Sequence, residues 1–236
     1  MRTKTSFDLC RIAEIVTAWG VRNYSAFPWR SNPNPWQTLV AEVLLQRTRA
    51  EQVVPVFLAF CRRFKSSRSF ACASRAARAA ITSHLGLHFR GEQLYDLACR
   101  LSTRRWTTVE REISTAPPRG IGDYTAAAWL SLHRNRRAVM IDANIARWLC
   151  RLLGMPAIKD PRGVTWLHLV AEAMTPQSAF REYNYAVIDF TRQVCTPRAP
   201  KCSDCPLKAL CQSKGGSRCS YGVPPSVFAA TPTNFD

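Results

Sequence analysis

Four cysteines near the C-terminal end of the chain have the residue type and the spacing of a metal-cluster site. Cys195, Cys202, Cys205 and Cys211 follow the pattern C-x6-C-x2-C-x5-C. Sets of four thiolates hold either a structural zinc ion or an iron–sulfur cluster. Zinc modules usually bring two close pairs across a longer gap, whereas this segment has one close pair between two single cysteines. The pattern therefore favours a [4Fe–4S] cluster, held by one loop, over zinc and over four free buried thiols.

A Gly-Ile-Gly sequence in the middle of the chain is typical of a tight turn between two helices. Gly120 and Gly122 permit positive φ and let backbone N–H groups approach a ligand closely. The N-terminus of the helix that follows favours an anion such as a phosphate. These residues predict a helix–hairpin–helix, which grips the DNA backbone without reading its sequence. The competing interpretation is an ordinary turn between helices.

An acidic residue, Asp142, lies further along, where the apolar run 139–141 gives way to another predicted helix. A carboxylate at this position can be a simple N-cap. The N–H groups of the helix terminus also favour its ionised form. That form is the one needed to stabilise a positively charged sugar or to polarise a water molecule. The two interpretations stay open from the local sequence alone.

Composition narrows the class of partner. The chain has 236 residues and a formal net charge of +17, from 33 Lys and Arg against 16 Asp and Glu. This excess favours a polyanionic partner. A membrane surface is the alternative, but the sequence contains neither a basic amphipathic helix nor a lipidation motif. Nucleic acid is therefore the expected partner. The length of the chain suits one large domain or two small ones.

The N-terminal segment does not resemble a secretion signal, because Asp8, Arg11 and Glu14 interrupt any apolar run. No stretch reaches the roughly 18 apolar residues of a membrane-spanning helix. We therefore expect a reducing compartment, which in a prokaryote is the cytoplasm with its nucleoid. The cysteines expected to be core thiols are Cys10, Cys61, Cys72, Cys99 and Cys150. Cys219 has no assigned role.

Apolar spacing predicts helices almost throughout and no strands, which places the chain in the all-α class. Proline and glycine mark the joins between the segments. The tail 213–236 is rich in Ser, Gly, Pro and Thr and is expected to be loosely ordered. The predicted helices are 6–20, 36–63, 75–85, 91–101, 123–133, 143–153, 163–174 and 180–191.

Taken in order, the hairpin glycines, Asp142 and the four-cysteine loop resemble the helix–hairpin–helix DNA glycosylases of the endonuclease III and MutY type. The resemblance covers about residues 25–212 and is strengthened by the segments 28–30, 34–36, 41–48 and 184–190. It implies two helical lobes with DNA in the cleft between them. One is a six-helix lobe, 31–138, that carries the hairpin. The other joins 1–30 to 139–212 and carries the cluster.

The resemblance also implies roles for individual residues. Asp142 matches the essential aspartate of the superfamily, and the extruded base would enter a pocket near Glu42, Tyr124 and Asp142. Either Gln46 or Arg47 matches the wedge that fills the space vacated by the base. The residues implied to contact DNA in addition to these two are Gly120, Gly122, Thr125 and Asn144.

The residue at position 124 predicts the type of reaction. Members that also cut the DNA strand have a lysine there, whose amine forms a Schiff base with the sugar. A tyrosine phenol cannot form a Schiff base, so Tyr124 predicts a monofunctional glycosylase with little or no lyase activity. The competing interpretation of Tyr124 is a packing aromatic residue on the hairpin helix.

The substrate is predicted from the same position. Adenine glycosylases of the MutY branch usually have serine there and a further C-terminal domain, whereas G·T mismatch glycosylases are short and have tyrosine. We therefore expect a monomer that removes thymine or uracil opposite guanine from double-stranded DNA. One alternative is an adenine glycosylase without the C-terminal domain, in which Glu42 protonates the adenine. The other is an iron–sulfur protein that binds DNA without catalysis.

Overall fold

The computed structural model describes residues 8–82 and 88–213, and within these ranges the chain is helical and contains no β-strand. The prediction of an all-α protein is confirmed. The helices are α1 (Leu9–Asn23), α2 (Pro35–Leu45), α3 (Ala50–Arg63), α4 (Ser67–Ala71), α5 (Arg75–Thr82), α6 (His88–Leu101), α7 (Trp106–Thr115), α8 (Asp123–Ala128), α9 (Ala143–Leu153), α10 (Thr165–Met174) and α11 (Phe180–Gln193). A π-helical turn, Trp129–His133, continues α8.

The chain divides into two compact units. Met1–Tyr24 and Val139–Asp236 form the terminal unit, and Ser25–Ala138 forms the central unit. The first boundary precedes the sequence-based one at residue 30, because residues 25–30 belong with the central unit. The reason is aromatic packing: Trp29 stacks on Phe27 and meets the ring of Phe57 edge-on.

Helix α2 is the centre of the central unit. Every residue from Trp36 to Leu44 is buried, so this helix is enclosed on all faces, with the polar residues Gln37, Thr38 and Glu42 buried among apolar ones. Its start is fixed by the side chain of Asn34, which accepts hydrogen bonds from the backbone N–H groups of Trp36 and Gln37. Pro35 occupies the first helical position, where the missing N–H costs nothing.

The prediction of a single helix over 36–63 is wrong, because the helix ends at Leu45 and a new one begins at Ala50. The cause lies in the connecting turn, residues 46–49, where Arg47 has a φ of 56°. A non-glycine residue in this left-handed conformation cannot continue a right-handed helix.

The terminal unit is built by helices from both ends of the chain. Helix α1 packs along α11, and the two backbones approach closely where Gly20 faces Ala186, because a Cβ atom on Gly20 would overlap that residue. Helix α9 buries Trp148 against Phe190, which also receives the edge of Trp19. This core supports the N-terminus of α9, where Asp142 lies.

The expectation that five cysteines are core thiols is largely wrong. Cys150 is buried and Cys61 half-buried, but Cys10, Cys72 and Cys99 are exposed. The prediction treats cysteine as an apolar residue of each helical pattern. In α1, however, other residues form the buried face and Cys10 points outward. The tail, Cys219 and the predicted helical positions 6–7 and 83–85 lie outside the described residues. In the part of the chain that is described, no helix is long and apolar enough to cross a membrane.

Candidate functional site

The carboxylate of Asp142 is fixed by donors at the start of α9. Its Oδ1 atom accepts hydrogen bonds from the backbone N–H groups of Asn144 at 2.9 Å and Ile145 at 2.8 Å. Its Oδ2 atom accepts a third bond, at 2.8 Å, from the side-chain amide of Asn144. Asp142 is therefore an N-cap, and it is also half-exposed. The capping role and a catalytic role are compatible, since the cap holds the carboxylate in one orientation.

A chain of hydrogen bonds joins this carboxylate to the cysteine loop. The Oδ1 atom of Asn144 accepts a bond from Arg147 at 2.8 Å. The same guanidinium donates to the carbonyl oxygens of Thr191, at 3.0 Å, and Cys195, at 2.9 Å. Burial lowers the pKa of Arg147 from its ordinary value, but an arginine remains charged at neutral pH. Arg147 thus braces α9 against the segment that leads into the loop.

Arg151, one helical turn further along α9, holds the start of the loop itself. It donates to the carbonyl oxygens of Thr196 at 2.7 Å and Pro197 at 2.9 Å. One of its nitrogens also lies 3.6 Å from the Sγ atom of Cys195. The backbone carbonyl of Arg151 accepts a bond from the N–H of Ser213 at 3.2 Å, just beyond the last cysteine. One helix therefore fixes both ends of the cysteine loop.

The four loop cysteines are half-buried and not bonded to one another. Burial raises the pKa of Cys205, the backbone N–H of Leu207 opposes this, and the other three thiols of the set, Cys211, Cys195 and Cys202, raise it further. The four sulfurs are thus electrostatic neighbours. No group of three or more His, Cys, Asp or Glu side chains in residues 8–82 and 88–213 converges on a single ion position.

The donor set fits an iron–sulfur cluster. Such a cluster is held by four cysteine thiolates, and the four cysteines lie on one loop as electrostatic neighbours. All four cysteines are available as thiolate ligands, because none of them forms a disulfide.

The predicted hairpin lies between α7 and α8 in the central unit. Gly120 has a φ of +92°, in the region that favours glycine. Gly122 has a φ of −78°, which any residue adopts, so its backbone does not require glycine. A side chain would also meet no obstacle there, because no atom lies within 4 Å of the position that a Cβ atom on Gly122 would take. The helix start at α8 therefore presents open space to a ligand.

The two wedge candidates have different environments. The side-chain amide of Gln46 donates to the carbonyl oxygen of Gly120 at 2.9 Å and to the hydroxyl of Thr125 at 3.0 Å. Gln46 and Thr125 are thereby brought together with the hairpin, and Thr125 is buried. Arg47, with its left-handed backbone, is the next residue and is exposed.

A buried arginine that the sequence analysis missed supports this turn. Arg90 is 2% exposed and donates to the carbonyl oxygen of Leu44 at 2.9 Å and to the hydroxyl of Thr48 at 2.8 Å. Burial, and secondly the charge of Arg47, lowers the pKa of Arg90. The residue fixes the C-terminal end of α2 from 42 positions away in the sequence, and no local pattern marks it.

Glu42 is buried in α2 and pairs with a second residue that the sequence did not reveal. Its Oε1 atom lies 2.9 Å from the Nε2 atom of His133, and the two side chains are 6% and 2% exposed. Tyr124 is half-buried in the first turn of α8. Glu42 and Tyr124 thus lie in the central unit, whereas Asp142 and Asn144 lie in the terminal unit.

Two family profiles match the chain. The profile described as "HhH-GPD superfamily base excision DNA repair protein" matches residues 40–168, and "Iron-sulfur binding domain of endonuclease III" matches residues 195–211. The chain belongs to the HhH-GPD superfamily of base excision DNA repair proteins. The resemblance drawn from the sequence is confirmed, and the cysteine loop is an iron–sulfur binding domain.

Individual relatives are DNA glycosylases. The chain is 35% identical to a thymine/uracil-DNA glycosylase of Pyrobaculum aerophilum, over 76% of this chain and 80% of that protein. It is 31% identical to an adenine DNA glycosylase of Buchnera aphidicola, over 79% of this chain but only 53% of that protein. A solved structure of a thermostable thymine-DNA glycosylase superposes with a TM-score of 0.79 at 28% identity, covering 87% of this chain and 96% of the other. Within the superfamily, the protein is an enzyme of the DNA glycosylase class.

Proposed function

We propose that this protein is a monofunctional DNA glycosylase that hydrolyses the N-glycosidic bond of thymine or uracil paired with guanine. The observation that carries the proposal is the Asp142 carboxylate, held by three N–H donors at the N-terminus of α9. The similarity to a glycosylase named for thymine and uracil, over most of both chains, supports the choice of base.

The proposed chemistry follows from the charge that develops in the sugar. An N-glycosidic bond breaks through a transition state that resembles an oxocarbenium ion, and a fixed carboxylate beside the anomeric carbon stabilises that positive charge. Asp142 supplies the carboxylate and can also orient the attacking water. Thymine and uracil can leave as anions, so the reaction needs no strong acid at the base. Extruding the base costs least at a mismatched pair, which contributes to selectivity.

Tyr124 supports the monofunctional assignment, because no amine is present at that position to form a Schiff base. We expect abasic product that is cut only after alkali treatment. Treatment with borohydride during the reaction should give no trapped covalent adduct between protein and DNA. A high yield of such an adduct contradicts this assignment.

Of the two wedge candidates, we propose Arg47. Gln46 is engaged with the hairpin through Gly120 and Thr125, and moving it into DNA would break both hydrogen bonds. Arg47 lies in the turn after α2 and is exposed, and its guanidinium can stack on the bases that flank the gap. Gln46 would act indirectly, by fixing the hairpin beside the wedge.

We propose that the hairpin contacts a DNA phosphate. The open space beside Gly122 leaves the backbone N–H groups at the start of α8 accessible, and the helix terminus favours an anion. Asn144, in the first turn of α9, is exposed and can reach the DNA from the other unit. The net charge of +17 predicts a steep loss of affinity with rising salt.

The iron–sulfur group is proposed to be a [4Fe–4S] cluster bound by Cys195, Cys202, Cys205 and Cys211. When bound, it would crosslink the loop and fix its shape. Arg198 and Lys201 are exposed in the same loop and would be presented to phosphates. We expect the purified protein to contain about four iron and four sulfide ions per chain and to show a single broad absorption band near 400 nm. Zinc in place of iron and sulfide would contradict this proposal.

The proposed working form is a monomer that binds double-stranded DNA containing a mismatched or damaged base. In a prokaryote, it would act in the cytoplasm, at the nucleoid. The test of the function is base release from matched labelled duplexes containing G·T, G·U, A·G or A opposite 8-oxoguanine, with and without alkali. Thymine or uracil release supports the proposal. Adenine release instead would identify an adenine glycosylase, and binding without any release would identify a non-catalytic DNA-binding protein.

A further inference from the structure

A buried pair of side chains in the central unit joins Glu42 to His133, a residue that the reaction proposed above does not use. Glu42 and His133 lie 91 positions apart in the sequence, and Glu42 Oε1 and His133 Nε2 are 2.9 Å apart. Both side chains are almost fully buried, at 6% and 2% exposed. An ionisable pair enclosed to this degree is costly to bury and is rarely kept without a structural or functional reason.

The local structure holds the imidazole against α2. His133 ends the π-helical turn Trp129–His133, and short π-helical insertions are frequent at functional sites. The indole N–H of Trp129 donates to the carbonyl oxygen of Pro35 at 3.1 Å and the hydroxyl of Thr38 at 3.3 Å, which ties this turn to the start of α2. The next residue, Arg134, is held by the buried carboxylate of Glu110 at 2.6 Å.

His133 is the residue that orients the Glu42 carboxylate. Among the described residues, Glu42 makes one side-chain hydrogen bond, and it runs to His133. A buried carboxylate needs a hydrogen-bond partner, because burying an unpaired polar group is costly. An Nε2–H group on His133 would meet this need and occupy Oε1. Oε2 then remains available to a ligand.

We propose that His133 is a positioning and specificity-determining residue, which donates from Nε2 to Glu42 and keeps that carboxylate a hydrogen-bond acceptor in the base pocket. The proposal rests on the function proposed above, together with the expectation from the sequence that Glu42 lines the pocket for the extruded base. Thymine and uracil carry an N–H group at N3, which an ionised carboxylate can accept. Adenine has no N–H group on the ring nitrogens of its base-pairing edge. Its release would instead require a protonated Glu42.

The test compares variants in single-turnover release of thymine from G·T duplexes. His133→Leu removes the donor and should slow release at least about tenfold at saturating enzyme, the loss expected for one hydrogen bond to a charged group. His133→Gln, whose amide can place an N–H near the same point, should stay within about threefold of the wild type. The matched control is His168→Leu, which makes the same change at an exposed histidine of α10 and should have no effect.

A double-mutant cycle tests whether His133 acts through Glu42. In a Glu42→Gln background, the further change His133→Leu should cost little, because the group that it positions is already altered. Independent effects of the two substitutions would overturn the proposal, as would wild-type rates for His133→Leu. An equal loss of base-release rate in His133→Gln and His133→Leu would also overturn it. An N–H donor near the same point would then fail to restore the rate. Thermal unfolding of each variant shows whether it is folded.

A second measurement tests the hydrogen bond between His133 and Glu42 without relying on enzyme activity. Nitrogen-15 NMR of labelled imidazoles should show His133 as the neutral tautomer with its proton on Nε2, and Glu42→Gln should change that signal. A proton on Nδ1 with Nε2 bare would mean that Glu42 is the donor, and would overturn the proposal. If the wild-type chain releases neither thymine nor uracil, the proposed substrate is wrong, while the tautomer still decides whether His133 donates to Glu42.

Discussion

The two carboxylates that we propose for the active site are held in opposite ways. Asp142, in the terminal unit, is fixed by N–H groups two and three residues further along the same helix. Glu42, in the central unit, is fixed by His133, which is 91 residues away. The first arrangement forms wherever α9 begins correctly. The second requires the whole central unit to fold, so damage to distant parts of that unit should affect Glu42 before it affects Asp142.

The largest effect is expected from Asp142→Asn. Asparagine is as good an N-cap as aspartate, so α9 should keep its start and the fold its stability. The negative charge beside the sugar is lost, and single-turnover base release should fall by about 10³-fold or more. DNA affinity, measured by gel shift on the same duplex, should stay within about threefold. Loss of binding together with activity would show that the residue is needed for structure rather than for charge.

The next largest effect is expected from Arg147→Ala. The change leaves the carbonyl oxygens of Thr191 and Cys195 without their donor and releases Asn144. Hydrogen bonds to a charged group contribute roughly 1.5–3 kcal/mol, so the melting temperature should fall by about 5–10 °C. Iron content should fall with it, since the loop loses its brace. A variant with a full iron complement and an unchanged melting temperature would contradict the assigned role, and Arg162→Ala, at an exposed arginine, is the control.

A smaller effect is expected from Asn144→Ala, which removes one of the three donors to Asp142. The two backbone donors remain, because alanine keeps the same N–H. The carboxylate should become less well oriented, and base release should slow by about tenfold, the equivalent of one hydrogen bond. The melting temperature should change little. A loss as large as that of Asp142→Asn would mean that the local cap is not sufficient to orient the carboxylate.

The smallest effect is expected from Gln46→Ala in the central unit. Two hydrogen bonds to the hairpin are lost, and the free energy of unfolding should fall by about 1–2 kcal/mol. Affinity for undamaged DNA should fall slightly, because the hairpin is less rigid. If base release falls while stability is unchanged, Gln46 enters the DNA and Arg47 is not the only wedge. Urea unfolding and base release on the same preparation separate these results.

The same contrast explains what the sequence could predict. The start of α9, the positive φ of Gly120 and the cysteine spacing depend on a few consecutive residues, and all three are readable from the sequence. The break at Arg47, the buried Arg90 and the partner of Glu42 depend on contacts between segments that are 42 to 91 residues apart. Periodicity treats 36–63 as one helix, because an apolar pattern carries no information about a single left-handed residue.

The division of the chain also sets an order of events during protein synthesis. The central unit is one continuous stretch, Ser25–Ala138, and a ribosome completes it before residues 139–236 are made. Helix α1 is made before the central unit and its partner α11 after it, so the apolar face of α1 has no partner during that interval. Domains that are contiguous in sequence can fold as they emerge. The nascent protein should therefore carry a folded hairpin unit and an undocked first helix for most of its synthesis, and the iron–sulfur loop arrives only when that helix can dock.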